Sequence, residues 1–146
     1  MKTITIECSE KEAHLIERAL ELYGRVGMLQ FDYLTLCGSL QKLIWDKKLG
    51  EEFRNKADEL KSVFGYTPNS NPGIFNSEIV GDDCRTAVHM YQQLRHERYL
   101  QRLKENPEEE SKHYGVDSRP ADICQMAGME TPKFKIKTEN NDRKIN

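Results

Sequence analysis

The sequence predicts an α+β fold that is mostly helical, with a small antiparallel sheet formed by strands near the N- and C-termini. Several long stretches repeat apolar residues at the helical period of 3.6. Two short segments instead alternate apolar and polar residues, TITIE at 3–7 and PKFKIKT at 132–138. With 146 residues the chain is most simply one domain over 1–138. Residues 139–146 have no apolar face and are expected to form a flexible tail.

Composition and charge narrow the classes of partner. The chain carries 22 basic and 24 acidic residues, and no Lys/Arg run marks a surface for polymeric nucleic acid. No apolar run approaches the roughly 20 residues of a membrane span, and MKTITIECSE lacks the apolar centre of a signal peptide. We therefore expect a protein of the cytoplasm with no membrane partner. Hydrophobic residues make up only 37% of the chain, so self-association is expected to complete its apolar burial.

The cysteines and histidines give little support to a metal or cofactor. The four cysteines are isolated in sequence, and in a chain without an export signal they are expected to be reduced thiols. His89 and His96 share a helix face, but no cysteine lies at the spacing of a zinc ligand. We expect neither a metal nor a cofactor.

The first helix begins with a capping box, in which Ser9 and Glu12 exchange hydrogen bonds. Gly24 and Gly27 bracket Arg25 and are expected to loosen the last turn. The main apolar face contains Ala13, Ile16, Ala19, Leu20, Tyr23 and Gly27. A second apolar strip contains Leu15, Leu22 and Val26. Two strips on one helix predict a core on one side and a partner on the other.

The middle of the chain predicts short helices and a long loop. Residues 28–48 suit one or two short helices interrupted at Gly38, and a further helix is expected to end near Phe64 and Gly65. Residues 67–83 are rich in Pro, Gly and Asn, which predicts a loop. Loops of that length in compact domains are usually functional or disordered.

A long helix follows this loop and is predicted to run to about Lys104, with Asp82 or Asp83 as its N-cap. The charged, proline-broken stretch 105–120 then reads as an exposed connector. At about 100° per residue, one face of the helix carries Cys84, Ala87, Val88, Tyr91, Arg95 and Arg98.

Arg95 is unexpected on this apolar face and has two interpretations. It either packs its methylenes at the edge of the core and pairs with a carboxylate, or grips a phosphate or carboxylate with its planar guanidinium. Polar side chains on the neighbouring flank favour the second interpretation somewhat, although such a flank is most often solvated. They are Arg85, His89, Gln92 and His96.

The loop before the helix contains groups suited to a nucleobase. Phe75 either stacks on a planar ring or anchors the loop in the core. Asn76 either pairs with the edge of a base or hydrogen-bonds to nearby backbone in a turn. The same two interpretations apply to Asn71, for which turn formation is favoured.

Catalysis finds less support. The chain contains no GxxxxGK[ST], GxSxG or HExxH motif. A small phosphodiesterase using His89 and His96 as acid and base is the enzymatic alternative, but neither has an evident orienting carboxylate in the sequence. We expect a binding protein rather than an enzyme.

Three segments taken together resemble a family of small bacteriophage proteins. They are LYGRVGMLQFD at 22–32, NPGIFN at 71–76 and CRTAVHMYQQLRH at 84–96. The family pattern has an LYSRIGMGQ segment, an NxxxGIH loop and an ARxAYxxxQxIRH helix. This phage family is similar to the Thoeris anti-defence sponges, which sequester cyclic ADP-ribose isomers made as immune signals.

The resemblance implies a phage anti-defence protein of the host cytoplasm that binds a cyclic ADP-ribose isomer or related cyclic oligonucleotide without degrading it. It also implies a homo-oligomer, a dimer or an assembly of dimers, with ligands held between subunits. The implied ligand-binding residues are Arg25, Met28, Gln30, Phe75, Asn76, Arg85, Arg95 and His96. The alternative is a phage protein that inhibits a host protein directly through an apolar helix surface.

The chain departs from the family pattern at two positions. Leu29 stands in place of the usual glycine, and Phe75 in place of the usual histidine. Both make the implied pocket more apolar, which leaves the identity of the signal open. Arg25 also lies about 180° from Ile16 on a regular helix. We therefore expect it to meet a ligand only at a subunit interface or after a helix break at Gly24.

Overall fold

The computed structural model describes residues 6–108 and 122–131, excluding the side chain of Ile44. Within these ranges the chain forms helices joined by loops. The five α-helices are α1 at Glu10–Gly27, α2 at Lys42–Trp45, α3 at Lys47–Val63, α4 at Asp82–Glu105 and α5 at Ile123–Met126. Two 3₁₀ helices, Phe31–Leu36 and Gly38–Leu40, lie between α1 and α2. No helix in these ranges is long and apolar enough to cross a membrane.

The predicted α+β class, with its antiparallel sheet, is wrong, since residues 6–108 and 122–131 contain no strand. Ile6 and Glu7, at the end of the first predicted strand, are irregular, and Ile6 is 70% exposed. Four predictions lie wholly or partly outside the described residues: residues 3–5 of the first predicted strand, residues 109–120 of the connector, the second predicted strand at 132–138 and the tail at 139–146. A two-stranded sheet is stable only when its apolar face is packed. The two core clusters of the described residues are formed by helices and loops, and Ile6 does not pack against either of them.

The predicted capping box at the start of α1 is confirmed. The Ser9 backbone N–H donates to the Glu12 carboxylate at 2.7 Å, and the Glu12 N–H donates to the Ser9 hydroxyl at 3.4 Å. These bonds lower the pKa of Glu12, because they stabilise its charged form. The helix remains regular through Gly24 and ends at Gly27. A helix break at Gly24, one of the two routes by which Arg25 was expected to meet a ligand, does not occur.

Two glycines let α1 and α4 approach closely. A Cβ atom at Gly24 would lie 2.4 Å from Val88 Cγ2, and one at Gly27 would lie 2.6 Å from Cys84 Sγ. The Cys84 thiol also donates to the Gly24 carbonyl at 3.2 Å. The core around this contact contains Met28, Val80, Cys84, Val88, Tyr91 and Ile123. The α1–α4 pair is therefore the centre of the fold.

A second apolar cluster places α3 beside the turn that follows α1. Leu29, Phe31 and Ala57 are buried together in this cluster. Leu29 has φ of 56°, in the left-handed region. The chain reverses there, which brings Phe31–Leu36 back against α1 and α3.

The long helix α4 begins one residue earlier than a cap at Asp82 requires and two residues earlier than a cap at Asp83 requires. Gly81 is the N-cap and provides no side-chain hydrogen bond, so the prediction of Asp82 or Asp83 as the cap is wrong. Both aspartates lie instead in the first helical turn, where their charge favours the positive end of the helix dipole. The helix then continues to Glu105.

Candidate functional site

One line of polar side chains runs along α4, and we call it the α4 polar stripe. Its members are spaced at i, i+4, i+7 and i+11, so they lie within about 60° of one another around the helix. They are Arg85, His89, Gln92 and His96. Arg85 is 5% exposed and His89 is 2% exposed. The prediction that this flank is most often solvated is therefore wrong for its first half.

Arg85 connects α4 to the loop that precedes it. Its Nε donates to the Ile74 carbonyl at 3.0 Å, and its Nη1 donates to Asp82 Oδ1 at 2.8 Å. The guanidinium is buried, whereas the Asp82 side chain is 76% exposed. Arg85 thus fixes the loop beside Phe75 and Asn76 and keeps a cation under the surface.

His89 has a tertiary carboxylate neighbour that the sequence did not indicate. Its Nδ1 lies 3.4 Å from Asp122 Oδ1, but the two groups do not have the alignment of a hydrogen bond. Asp122 Oδ1 accepts instead from the Gln125 N–H at 2.9 Å and caps α5. Asp122 lies 33 residues after His89 in the chain, so no local spacing links the two residues. Only the packing of α5 on α4 brings them together.

The middle of the α4 polar stripe contains two buried atoms without partners. Among residues 6–108 and 122–131, neither His89 Nδ1 nor Gln92 Oε1 has a hydrogen-bond partner. Leaving a buried polar group unpaired costs about 1 to 3 kcal/mol, so native proteins usually satisfy such groups with protein, water or ligand. These two atoms therefore have unused capacity to bind polar groups.

The second half of the stripe is more accessible. His96 is half-buried and stacks on Tyr99, with ring centroids 6.4 Å apart and an interplanar angle of 26°. Arg95 is also half-buried and lies about 80° from Arg85 around the helix. The C-terminal part of α4 thus holds a cation and an aromatic ring near the surface.

Arg98, the other arginine on the predicted apolar face, has a structural role. Its Nη1 donates to Glu17 Oε2, and it lies 2.9 Å from His14 Nδ1. Its Nη2 is 3.8 Å from Glu10 Oε1. Arg98 is therefore a core-edge arginine that pairs with a carboxylate, the first of the two interpretations considered for Arg95. Glu17 lies on the surface of α1 that meets α4, and the sequence analysis did not identify it as the partner of Arg98.

The loop residues have different surroundings. Phe75 is 47% exposed, so it does not anchor the loop in the core. Asn76 Nδ2 donates to the Tyr66 hydroxyl at 2.9 Å, and Asn76 Oδ1 accepts from the Glu78 N–H at 3.1 Å. Asn76 therefore stabilises a turn, while the ring of Phe75 keeps an open face for stacking.

Arg25 and Gln30 meet directly after the chain reversal. Arg25 Nη1 donates to Gln30 Oε1 at 3.0 Å, and Arg25 Nη2 lies 3.4 Å from Glu21 Oε1. The guanidinium carbon lies 4.4 Å from the centroid of the Tyr33 ring, a cation–π contact. Arg25 reaches these partners from a regular helix, because the reversal at Leu29 returns the chain to it.

Met28 and Leu29 are buried parts of the core. Met28 is 7% exposed and packs in the cluster around Cys84. Leu29 explains one departure from the phage pattern, because its φ of 56° is a conformation that glycine adopts without strain. Leu29 occupies it at a cost, in return for a side chain that is 5% exposed.

The eight predicted ligand-binding residues do not converge within one copy. Arg25 contacts Gln30, Arg85 bonds the backbone beside Phe75 and Asn76, Arg95 and His96 are farther along α4, and Met28 is in the core. Arg85 and Arg95 are ten residues apart, which is about 15 Å along a helix axis. The predicted site residues thus form separate groups in one copy of the chain.

Residues 6–108 and 122–131 contain no cluster of three or more His, Cys, Asp or Glu side chains arranged to hold a metal ion. Comparison of the chain with protein-family models, with curated proteins and with solved structures found no match.

Proposed function

We propose that this protein binds and sequesters a cyclic nucleotide immune signal without degrading it, as a phage anti-defence protein. The observation that carries the proposal is a pair of buried polar atoms in the middle of the α4 polar stripe. His89 Nδ1 and Gln92 Oε1 lie buried between Arg85 and His96, with no hydrogen-bond partner among residues 6–108 and 122–131. A ligand that brings hydrogen-bonding groups to this stripe removes the cost of leaving them unpaired.

Arg85 supplies a cation that can exchange its partner. Its present carboxylate belongs to Asp82, which is 76% exposed and loses little by returning to water. A phosphate accepts two parallel bonds from one guanidinium, and such bidentate contacts are among the stronger hydrogen bonds in proteins. Replacement of Asp82 by a ligand phosphate therefore leaves Arg85 fully paired.

Phe75 complements this grip. Its half-exposed ring lies in the same loop as Ile74, whose carbonyl accepts from Arg85. Aromatic rings stack on nucleobases with little dependence on base identity. A base on Phe75 and a phosphate at Arg85 thus suit the two ends of one nucleotide.

A second copy of the chain completes the site in this proposal. Arg25 with Gln30 and Arg95 with His96 form groups separate from Arg85 within one copy. A homo-oligomer brings such groups from two chains to one ligand, as the phage resemblance implies. The ligand class is a cyclic ADP-ribose isomer or a related cyclic oligonucleotide, met in the cytoplasm of the host.

Two observations favour other functions. Leu15, in the second apolar strip of α1, is 68% exposed and suits direct inhibition of a host protein. Asp122 beside His89 supplies the carboxylate that a small phosphodiesterase needs to orient its histidine. Both alternatives give outcomes that differ from sequestration in one experiment.

The experiment incubates the purified full chain with a cyclic ADP-ribose isomer, removes unbound nucleotide, denatures the protein by heat and identifies what is released. Sequestration returns the intact signal, whereas an altered product means a phosphodiesterase. If neither this compound nor a panel of cyclic dinucleotides and trinucleotides is retained, the proposal is wrong and direct inhibition gains support.

Arg95→Ala tests the cationic part of the site. We expect it to abolish retention of the signal with the fold and oligomeric state unchanged, as measured by circular dichroism and light scattering. Lys56→Ala is the matched control, because Lys56 is 69% exposed and pairs along α3 with Glu59. Unfolding of the Arg95 variant would mean that this arginine is a core-edge residue.

A further inference from the structure

An open apolar groove of about 580 Å³ is lined by α1, by the 3₁₀ helix that follows it and by the loop before α4. Sites for small molecules have volumes of about 300 to 1,000 Å³ and mostly apolar walls. The aliphatic side chains of this groove are Leu22 and Val26 of α1, Leu34 and Ile79. Leu22 and Val26 belong to the second apolar strip, which the sequence assigns to a partner. The groove therefore presents an apolar surface to an organic molecule.

The lining of the groove also carries a negative charge. Among the described residues that line it, Asp83 is the only acidic one and none is basic. Asp83 accepts hydrogen bonds from the Tyr23 hydroxyl and, at 2.9 Å, from the Cys84 N–H. These bonds lower the pKa of Asp83, because they stabilise its charged form. The groove therefore combines apolar walls with one carboxylate that is ionised at neutral pH.

This carboxylate is not neutralised by a neighbouring cation. Asp82, the preceding residue, is ion-paired with Arg85 at 2.8 Å. Within residues 6–108 and 122–131, by contrast, no ion pair involves Asp83. The two oxygens of a carboxylate together offer about four acceptor positions, more than its present hydrogen bonds occupy. Asp83 can therefore accept a further hydrogen bond from a cationic group in the groove.

Two neighbours of Asp83 suit such a cation. Tyr23 is 53% exposed and lines the groove, and the face of an aromatic ring attracts ammonium groups. Gly81 lines the groove as well, and a Cβ atom there would lie 2.7 Å from Asp83 Oδ1. The missing side chain at residue 81 therefore lets the carboxylate lie close to the backbone of the groove.

The groove is separate from the α4 polar stripe. Asp83 lies about 160° from Arg85 around α4, and no member of the stripe lines the groove. A phosphate in the groove would be repelled by the Asp83 carboxylate. The groove therefore suits a ligand of the opposite charge to the nucleotide of the proposed function.

We propose that the groove binds a small organic cation, an amine with an apolar body. The apolar body packs against Leu22, Val26 and Ile79, and the ammonium group donates to Asp83 beside the ring of Tyr23. This inference goes beyond the proposed function and does not depend on it.

Titration of the full chain with three naphthyl compounds tests the proposal. At neutral pH naphthylethylamine is a cation, naphthylethanol is uncharged and naphthylacetate is an anion. We expect the amine to bind about tenfold more tightly than the alcohol, because hydrogen bonds between charged groups are stronger than neutral ones. The anion should bind most weakly. Isothermal titration calorimetry measures the affinities, and NMR spectra of the Leu, Val and Ile methyl groups locate the ligand.

A change of charge at Asp83 separates the carboxylate from the apolar walls. Asp83→Asn should remove the preference for the amine, because the amide keeps the size of the side chain and loses its charge. Glu78→Gln is the matched control and should keep the preference, since Glu78 is exposed in the preceding loop and does not line the groove. Leu22→Ala should weaken the amine and the alcohol by similar factors, because it removes apolar contact and no charge.

Four outcomes would overturn the proposal. They are equal affinities of the unaltered protein for the amine and the alcohol, an amine preference that survives in Asp83→Asn, methyl shifts confined to residues outside the groove, and no binding of any of the three compounds. If Asp83→Asn unfolds, the salt dependence of the unaltered protein takes its place. In about 1 M sodium chloride, where the screening length is about 3 Å, the advantage of the amine should shrink. An advantage that salt leaves unchanged would equally contradict the role of the carboxylate.

Discussion

The guanidinium of Arg98 on α4 is ion-paired with the carboxylate of Glu17 on α1. Their side chains are only 15% and 11% exposed. The pair therefore lies at the helix contact, one helical face away from the polar stripe. Together with the close approaches at Gly24 and Gly27, it fixes how α1 and α4 pack against each other.

Removing one member of this pair should destabilise the fold. We expect Glu17→Ala to lower the free energy of unfolding by about 3 kcal/mol, because it leaves a cation buried without its nearest partner. Urea unfolding measures the change. Glu59→Ala is the control and should cost less than about 0.5 kcal/mol, since its pair with Lys56 is exposed. Equal losses in the two variants would contradict this assignment.

A methyl group at Gly24 should separate α1 from α4. We expect Gly24→Ala to cost about 1 to 2 kcal/mol, because overlap with Val88 outweighs the better helix propensity of alanine. Val88→Ala removes the overlapping Cγ2 atom, so the double variant should be more stable than the sum of the single changes predicts. Gly38→Ala is the control, since no atom lies within 4 Å of its added Cβ. Strict additivity would show that the helices do not meet at Gly24.

At position 29 a glycine variant should be more stable than an alanine variant, the reverse of the usual order. Leu29→Ala loses the burial of the side chain and keeps the left-handed backbone. Leu29→Gly loses the same burial but relieves about 1 kcal/mol of backbone strain. We therefore expect the glycine variant to be the more stable of the two in thermal unfolding. A more stable alanine variant would mean that the backbone at position 29 is not left-handed.

The four thiols should differ in reactivity. All four cysteines are unpaired, and Cys8 is exposed, whereas Cys84 and Cys124 are buried. Burial raises the pKa of the Cys84 and Cys124 thiols, because it disfavours the thiolate. At pH 8 we expect Cys8 to react with a thiol reagent at least tenfold faster than either. Denaturant should remove the difference, and rapid labelling of Cys84 in the folded protein would contradict the packing of α1 on α4.

Local sequence signals predicted individual elements well. The Ser9–Glu12 box, the short helices around Gly38 and the end of α3 near Phe64 follow from spacings of a few residues. These features depend on hydrogen bonds and backbone preferences within one turn or two. The predicted sheet is wrong for the described residues, 6–108 and 122–131, in which helices and loops cover the core.

The site depended on contacts that the sequence does not encode locally. Periodicity placed Arg85, His89, Gln92 and His96 on one line of α4, but it left their burial undecided. The loop at Ile74 and the segment beginning at Asp122 cover that line only when the chain is folded. Long-range packing therefore turned a polar flank into a site with unpaired atoms.

The sequence by itself determined the helices, the first cap and the position of an arginine on an apolar face. Only the tertiary structure decided that Arg98 pairs with Glu17, that Asp122 lies beside His89, and that Arg25 and Gln30 form a group separate from Arg85. Helical periodicity fixes angles around one axis, because each residue adds the same rotation. It carries no information on which other element lies opposite, so partners across the core appear only in the packed chain.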